Sequence, residues 1–531
     1  MISIKRALFW ILLVAFSAIT VWWVFHVPYR PERVFAAIPM DATVVSVHRN
    51  LAGEWDHVMN NPLILKAIQA AGVPDADLAK AATNAIVREW TERLVSDQTV
   101  LAYVPSLGGG RKPALVCASW IGSQSRWLRW QVAFMKSRDL RPLKLNDGHL
   151  TVWLNPTKFG NTKLKLSLAL SEGLVLACIS EDPVGVRVLL ESAEGYPDRQ
   201  TIAQSGKQNT ARTLLTGSPR HWGWLDNHRD LTAFQFNLTA SRMELALVGH
   251  QSLPVAKPLS GLSNLRQITA LVGGRSDLIT LLPLNWIAPL IGGETNTLWL
   301  NAIKPLFDPD GAPADALAYV ALLDNTHNGR LRGPMGSTLR ALIKGVKTPT
   351  LLLGIQVGSQ EEADRRIGRI ISQLNSQYNF TLTTRSLESE NGSRLTLIEE
   401  TKKSFYGSFE SGERVGYVMA DDWLLLASNS SVLGKLIGEP PSDAAPWAPM
   451  LSDSPSALAW GNLESLAPTV KNVAGVLKLA TLMNSSGDSK SIRELLDQAG
   501  ICADVLGTFG QASASSITSN GLTRINITIG K

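Results

Sequence analysis

Three patterns of apolar and polar residues divide this chain. The first is an uninterrupted apolar run. From Ala7 to Val27 no Asp, Glu, Lys or Arg occurs over 21 residues. As a helix at ~1.5 Å per residue, that run is as long as a bilayer's hydrocarbon core of ~30 Å is thick. Trp22, Trp23 and Tyr29 lie at its far end, where amphipathic rings favour the headgroup layer. Pro28 and Pro31 stop the helix. A cleavable signal peptide would have a shorter apolar region ending in small residues, whereas "WWVFH" ends this one. The run predicts an uncleaved anchor. Lys5 and Arg6 before it nearly balance Arg30 and Arg33 after it, and the amino terminus tips the balance towards N-inside. No later stretch reaches ~18 uninterrupted apolar residues, so the remainder is expected on one side of the membrane, outside the cytoplasm.

The second pattern is alternation, and it comes twice. "PALVCASWIGSQ" (Pro113 to Gln124) is answered 236 positions later by "PTLLLGIQVGSQ" (Pro349 to Gln360). At the same offset "SPRHWGW" (from Ser218) meets "SPSALAW" (from Ser454). "LALSEGLVLACISEDPVGVRVLL" (from Leu168) resembles "YVMADDWLLLASNSSVLGKLIG" (from Tyr417), and "LAYV" occurs at Leu101 and Leu317. Four matches in one order predict an internal duplication. Each copy reads as a "LAYV" strand, a strand from proline to glycine, a helix, an alternating strand ("HLTVWLN", "SRLTLIEE"), a two-residue hairpin and a short helix. Without strict βαβ alternation this predicts α+β modules of mostly antiparallel sheet with packed helices.

The third pattern is helical. After "VGSQ", Ala363, Ile367, Ile370, Ile371 and Leu374 fall on one face. Ser359 stands where an N-cap belongs, with Glu362 completing S-x-x-E. In copy 1, Ser123 can cap, but Arg126 occupies the Glu position and leaves the box incomplete; Trp127, Phe134 and Met135 fall on the corresponding face. The expected divisions are 1–35 (cytoplasmic stub, anchor, short linker), 36–255 (copy 1) and 256–531 (copy 2). Copy 2 carries a helical insertion near 465–500 and closes on the strand "GLTRINITIG". The inter-copy region is near "HQSLPVAKPLSGLSN".

The 531 residues suffice for two to four domains. Net charge is +6, without a dense Lys/Arg block or an RNA-binding aromatic signature. That points away from nucleic acid and fits mild attraction to anionic lipid. Three cysteines, Cys117, Cys178 and Cys502, make neither a disulfide framework nor a zinc site. Cys117 and Cys178 read as small buried hydrophobes, with a bridge open to them if their strands are neighbours.

Nucleophile elbows, Walker loops, HExxH, CxxC and dinucleotide fingerprints do not occur. "LGGGRKP" (from Leu107) lacks Walker spacing and reads as a hairpin loop. "DPDGAPAD" (from Asp308) lacks the remaining calcium ligands and reads as a polar turn. His221, Asp226 and His228 form one local group able in principle to bind zinc or move protons. The duplicated position of His221 is Ala457, so surface or loop histidines are expected. Asp421 and Asp422 are turn residues, and Trp222, Trp224 and Trp460 read as strand core rather than sugar platforms. No catalytic, cofactor-binding or metal-binding residue is assigned.

"AAIPMDATVVSVHRNLAGEWDHVMNNPLI" (from Ala36), with "YVMADDWLLLASNSS", resembles uncharacterised bacterial membrane-anchored envelope proteins of the domain-of-unknown-function type. The resemblance implies a bacterial envelope setting and no catalytic residues. The expectation is a non-enzymatic single-pass protein of the inner membrane, its bulk extracytoplasmic, that binds another envelope protein or forms a scaffold. The alternatives are a lipid or hydrophobic-ligand carrier and a hydrolase with an unrecognised site.

Overall fold

The structure is a computed structural model. It describes residues 4–530 apart from 66–78, 135–140, 146–149, 159–162, 227–229, 251–257, 260–271, 292–302, 324–349, 389–393, 401–414, 439–444, 472–496 and a few shorter stretches. Met135, His228, Cys502 and most of the expected inter-copy region and helical insertion lie outside the described residues.

The chain forms two compact units, Met1–His250 and Gln251–Lys531. In the first, the strands are β1 (Val44–Arg49), β2 (Gln98–Val104), β3 (Ala114–Trp120), β4 (Arg141–Leu145), β5 (Leu150–Lys158), β6 (Lys165–Ser171), β7 (Leu174–Ser180), β8 (His221–Asp226), β9 (Leu231–Leu238) and β10 (Arg242–His250). They pair antiparallel throughout, in the order β10-β9-β8-β1-β2-β3-β7-β6-β5-β4. In the second the strands are β11 (Ser276–Pro283), β12 (Leu317–Leu323), β13 (Thr350–Gln356), β14 (Leu382–Glu388), β15 (Arg394–Glu400), β16 (Gly416–Ala420), β17 (Trp423–Ala427), β18 (Ala457–Asn462), β19 (Gln511–Ser519) and β20 (Leu522–Gly530). Their order is β20-β19-β18-β11-β12-β13-β17-β16-β15-β14, again antiparallel. Each strand of the first unit thus has a counterpart in the second with the same neighbours. The repeated words sit on the counterparts β3 and β13, whose residues alternate buried and open in the same sequence.

"LAYV" is the exception. Ala102 pairs with Val116 and Ala321 with Leu352, so Ala102 corresponds to Ala321. The two "LAYV" words lie on counterpart strands three residues out of register, and their match is fortuitous.

Packing compensates where the counterpart positions differ. Tyr319 lies opposite Gly354, and a Cβ on Gly354 would come within 2.1 Å of its ring. The counterparts are Val100 opposite Ala118. The pair Phe234 and Gly223 is likewise replaced by Ala514 and Ala459. A large ring in one unit is matched by a missing methyl across the strand, so each interior stays filled.

The described helices are α1 (Ile4–Phe25), α2 (Arg33–Ala36), α3 (Trp55–Asn60), α4 (Ala85–Leu94), α5 (Gln124–Phe134), α6 (Val186–Ala193), α7 (Lys207–Leu214), α8 (Leu284–Ile291), α9 (Gln360–Tyr378) and α10 (Ser430–Gly438). In α9 the expected face holds: Ala363, Ile367 and Ile370 are buried, with Ile371 and Leu374 packed beside them. Ser359 Oγ accepts from the N–H of Glu362 at 3.2 Å. The Glu362 carboxylate, however, turns to Arg365 and the buried Arg366. Arg366 also donates to the carbonyls of Leu306 and Asp310, and so ties down the loop that superficially matches a calcium site.

Copy 1 departs from expectation at the same corner. Ser123 Oγ accepts from the N–H of Val27 at 3.1 Å, so it holds the N-terminal arm. Among the described side chains of α5, Ser125 and Leu128 are buried and Trp127 faces out; that of Phe134 lies outside the described residues. Cys117 and Cys178 are on neighbouring strands but one residue apart in register. Their side chains leave opposite faces of the sheet, and both are free thiols.

The residues after α1 are not a loose linker. Val27, Val34, Phe35, Ala37 and Ile38 are buried in the first unit's core. Arg33 donates to the carbonyls of Glu172 and Ala193. The side chains of α1 are described over Trp10–Thr20 and Trp22–Phe25. Among the described residues no helix is long and apolar enough to cross a membrane.

Candidate functional site

Alternation on β1 places Val44, Ser46 and His48 on one face of the first sheet, opposite the core residues Val45 and Val47. Cross-strand register extends each into a row. The outer row runs Ile179, Leu115, Tyr103, Val44, Leu225. The middle row runs Ala177, Cys117, Leu101, Ser46, Gly223, Phe234, and the inner row Val175, Ser119, Thr99, His48, His221, Phe236.

Burial runs against polarity across these rows. The inner row is covered and largely polar: Ser119, Thr99, His48 and His221 are all buried. From Ile179 and Ala177 across to Val44 and Ser46 the outer and middle rows are mostly apolar yet open, with Leu115 54%, Leu101 40% and Tyr103 39% exposed, whereas Gly223 and Phe234 are buried. The open part lines a depression of about 320 Å³ with Ser46 among its walls. Burial pushes the Cys117 thiol on its floor up to about 12, so this cysteine is a neutral surface rather than a nucleophile.

The inner row carries a chain of hydrogen bonds. Thr99 and Ser119 share one at 2.7 Å. His221 Nε2 lies 3.7 Å from Glu54 Oε1, which assigns the proton of a neutral ring to Nε2. His221 Nδ1 then accepts from His48 Nδ1 at 3.3 Å. His48 Nε2 in turn accepts from the Ser46 hydroxyl at 3.0 Å. Phe236 flanks both imidazoles. Burial, with His221 beside it, pushes His48 down to about 3. Burial also lowers His221, against the opposing pull of Glu54.

A serine, a histidine and an orienting partner in line are the parts of an activated nucleophile. Three observations argue against that use. A base that titrates near 3 has little affinity for the serine proton. Ser46 sits mid-strand between two paired neighbours, which is no place to aim free N–H groups at an oxyanion. The counterparts in the second unit are Thr280, Leu282 and Ala457, so the shared architecture does not depend on the chain. It satisfies buried polar groups.

His221 therefore joins His48, which lies 173 positions away, rather than its sequence neighbours. Asp226 pairs with Lys207 instead. Trp222, Trp224 and Trp460 are core residues, as expected. Asp422 accepts from Gln356 at 3.1 Å in its turn. Ser46, His48 and Glu54 were missed as a group because only the period-2 spacing of Ser46 and His48 is local. No family model, curated protein or solved structure matches the chain.

Proposed function

We propose that this chain is a single-pass, membrane-anchored, extracytoplasmic binding protein of the bacterial envelope, without catalytic activity, whose first sheet docks a partner protein. The observation that carries the reading is the open apolar face. Contiguous exposed apolar residues on an otherwise well-packed sheet favour an interaction surface. Leu115, Tyr103, Leu101 and Leu225 are all exposed on it. The counterpart of Leu115 in the second unit, Leu351, is also exposed, as expected if the two units descend from one duplicated module.

The uncharged apolar run from Ala7 to Val27 in the sequence supports the anchor. The buried arm after it favours retention over cleavage. A cut near Ala37 would strip Val34 and Phe35 from the core.

A hydrophobic-ligand carrier is the second reading, favoured by the apolar lining of the depression. Its volume is at the low end for ligand sites, and such sites enclose most of the ligand's surface. An open depression of that size suits a protein side chain better.

The test is co-purification of the tagged full-length chain from detergent-solubilised membranes, after cross-linking, for wild type and Leu115→Lys. A protein retained by wild type and lost from the folded variant supports the reading. A stoichiometric lipid lost instead favours the carrier. An unchanged set of companions removes the apolar face from consideration.

A further inference from the structure

Helix α5 turns two different faces to its surroundings. Ser125 and Leu128 are buried against the sheet, while Trp127 and Trp130, one turn apart, are 51% and 61% exposed. The fold does not require this. At the repeat spacing of 236, their counterparts in α9 are Ala363 and Arg366, and both are buried. The same Gly-Ser-Gln corner opens both helices, yet the positions α9 buries are those where α5 shows two tryptophans to the outside.

What lies next to the Trp127 ring is the end of α1. Phe25 stacks on Trp127 with ring centroids 4.5 Å apart and planes 14° apart. Arg126 donates to the carbonyl of Val24 and pairs with Glu172, which also faces Arg33 at 3.7 Å. The Val27 N–H is held by Ser123. Tyr29 packs edge-on against Trp120 at 6.2 Å. The Phe25–Trp127 stack and the Arg126 hydrogen bond to the Val24 carbonyl thus fix α5 against the last turn of α1, where Trp22 and Trp23 are also exposed. Tryptophan favours the membrane–water boundary because its ring is apolar and its N–H is not.

We infer that α5 is a membrane-interface helix: where α1 leaves the bilayer, Trp127 and Trp130 rest in the headgroup layer of the phospholipid surface. This rests on reading α1 as the anchor. The first unit is then held at the membrane in a fixed orientation rather than on a tether.

The test uses the full chain in vesicles of phosphatidylethanolamine and phosphatidylglycerol. The photo-reactive p-benzoylphenylalanine replaces Trp130 in one sample and Trp10, inside α1, in another. After irradiation, phospholipid adducts at both positions support the inference. Adducts at position 10 alone overturn it and leave the anchor standing. Adducts at neither position overturn both. Wild type and Trp130→Phe provide a second measurement, with brominated phosphatidylcholine quenching tryptophan emission. The quenched share should be smaller in the variant, and an equal share overturns the inference.

Discussion

His48 shows how far a single buried group shapes behaviour. Ser46, His221, Glu54, Arg220 and Phe236 face it or its ring partner, and its pKa falls from 6.5 to about 3 chiefly because it is buried. The folded state therefore holds this ring neutral where the unfolded chain would protonate it. Its contribution is fully present above the unfolded pKa and is lost as pH falls towards the folded one. The slope approaches about 1.4 kcal/mol per pH unit for one such group. His221, also lowered, acts with the same sign. His48→Leu, which copies its counterpart Leu282, should lose less stability than wild type between about pH 7 and about pH 4. Urea unfolding midpoints across that range check it, and parallel curves would mean that His48 does not titrate as described. None of this chain was legible in the sequence beyond the Ser46–His48 alternation, because strand register alone brings residues 48 and 221 together.

At the scale of elements, legibility followed local chemistry. The hairpin β6–β7 has its turn at Glu172-Gly173, and the spacing of 249 that sets Leu168 on Tyr417 carries it onto β16–β17. The left-handed residue is Gly173 in one turn and Asp421 in the other, types that tolerate it. Strands such as β14 and β19 ("LTTRSLE", "QASASSITS") were not legible, because polar and small residues hide the alternation and only pairing with neighbours makes them strands. Nor could the sequence say what each corner serine binds. Ser359→Ala should cost about 1 kcal/mol, as expected for a lost N-cap, because the Glu362 N–H loses its acceptor. Ser123→Ala should leave the start of α5 intact and instead loosen the arm at Val27. Hydrogen exchange of the Glu362 and Val27 amides separates the two outcomes. Equal protection loss at both helix starts would restore the symmetric corner that the repeated words suggest.

At the scale of the molecule, α1 and the first unit are one continuous structure, and this makes the position of a truncation decisive. Removing residues 1–24 takes away most of α1 but leaves Phe25 on Trp127 and the arm from Val27 in place. That chain should leave the membrane fraction in a carbonate wash and keep the wild-type unfolding midpoint. Removing residues 1–38 also takes Val34, Phe35, Ala37 and Ile38, all buried. The three larger of these contribute roughly 1.5–3 kcal/mol each when buried, against about 5–15 kcal/mol for a whole domain. The strand bridge of Pro39 to Thr201 and the Ile202 N–H bond to the Ile38 carbonyl go with them or lose their support. The shorter chain should expose the first unit to limited proteolysis within residues 39–250. Membrane fractionation and protease mapping of the two truncations decide the matter. If the chain lacking 38 residues is as resistant as the one lacking 24, the arm is dispensable and a cleaved signal becomes the better account. If the chain lacking 24 residues stays in the pellet after the wash, α1 is not what holds the protein to the membrane.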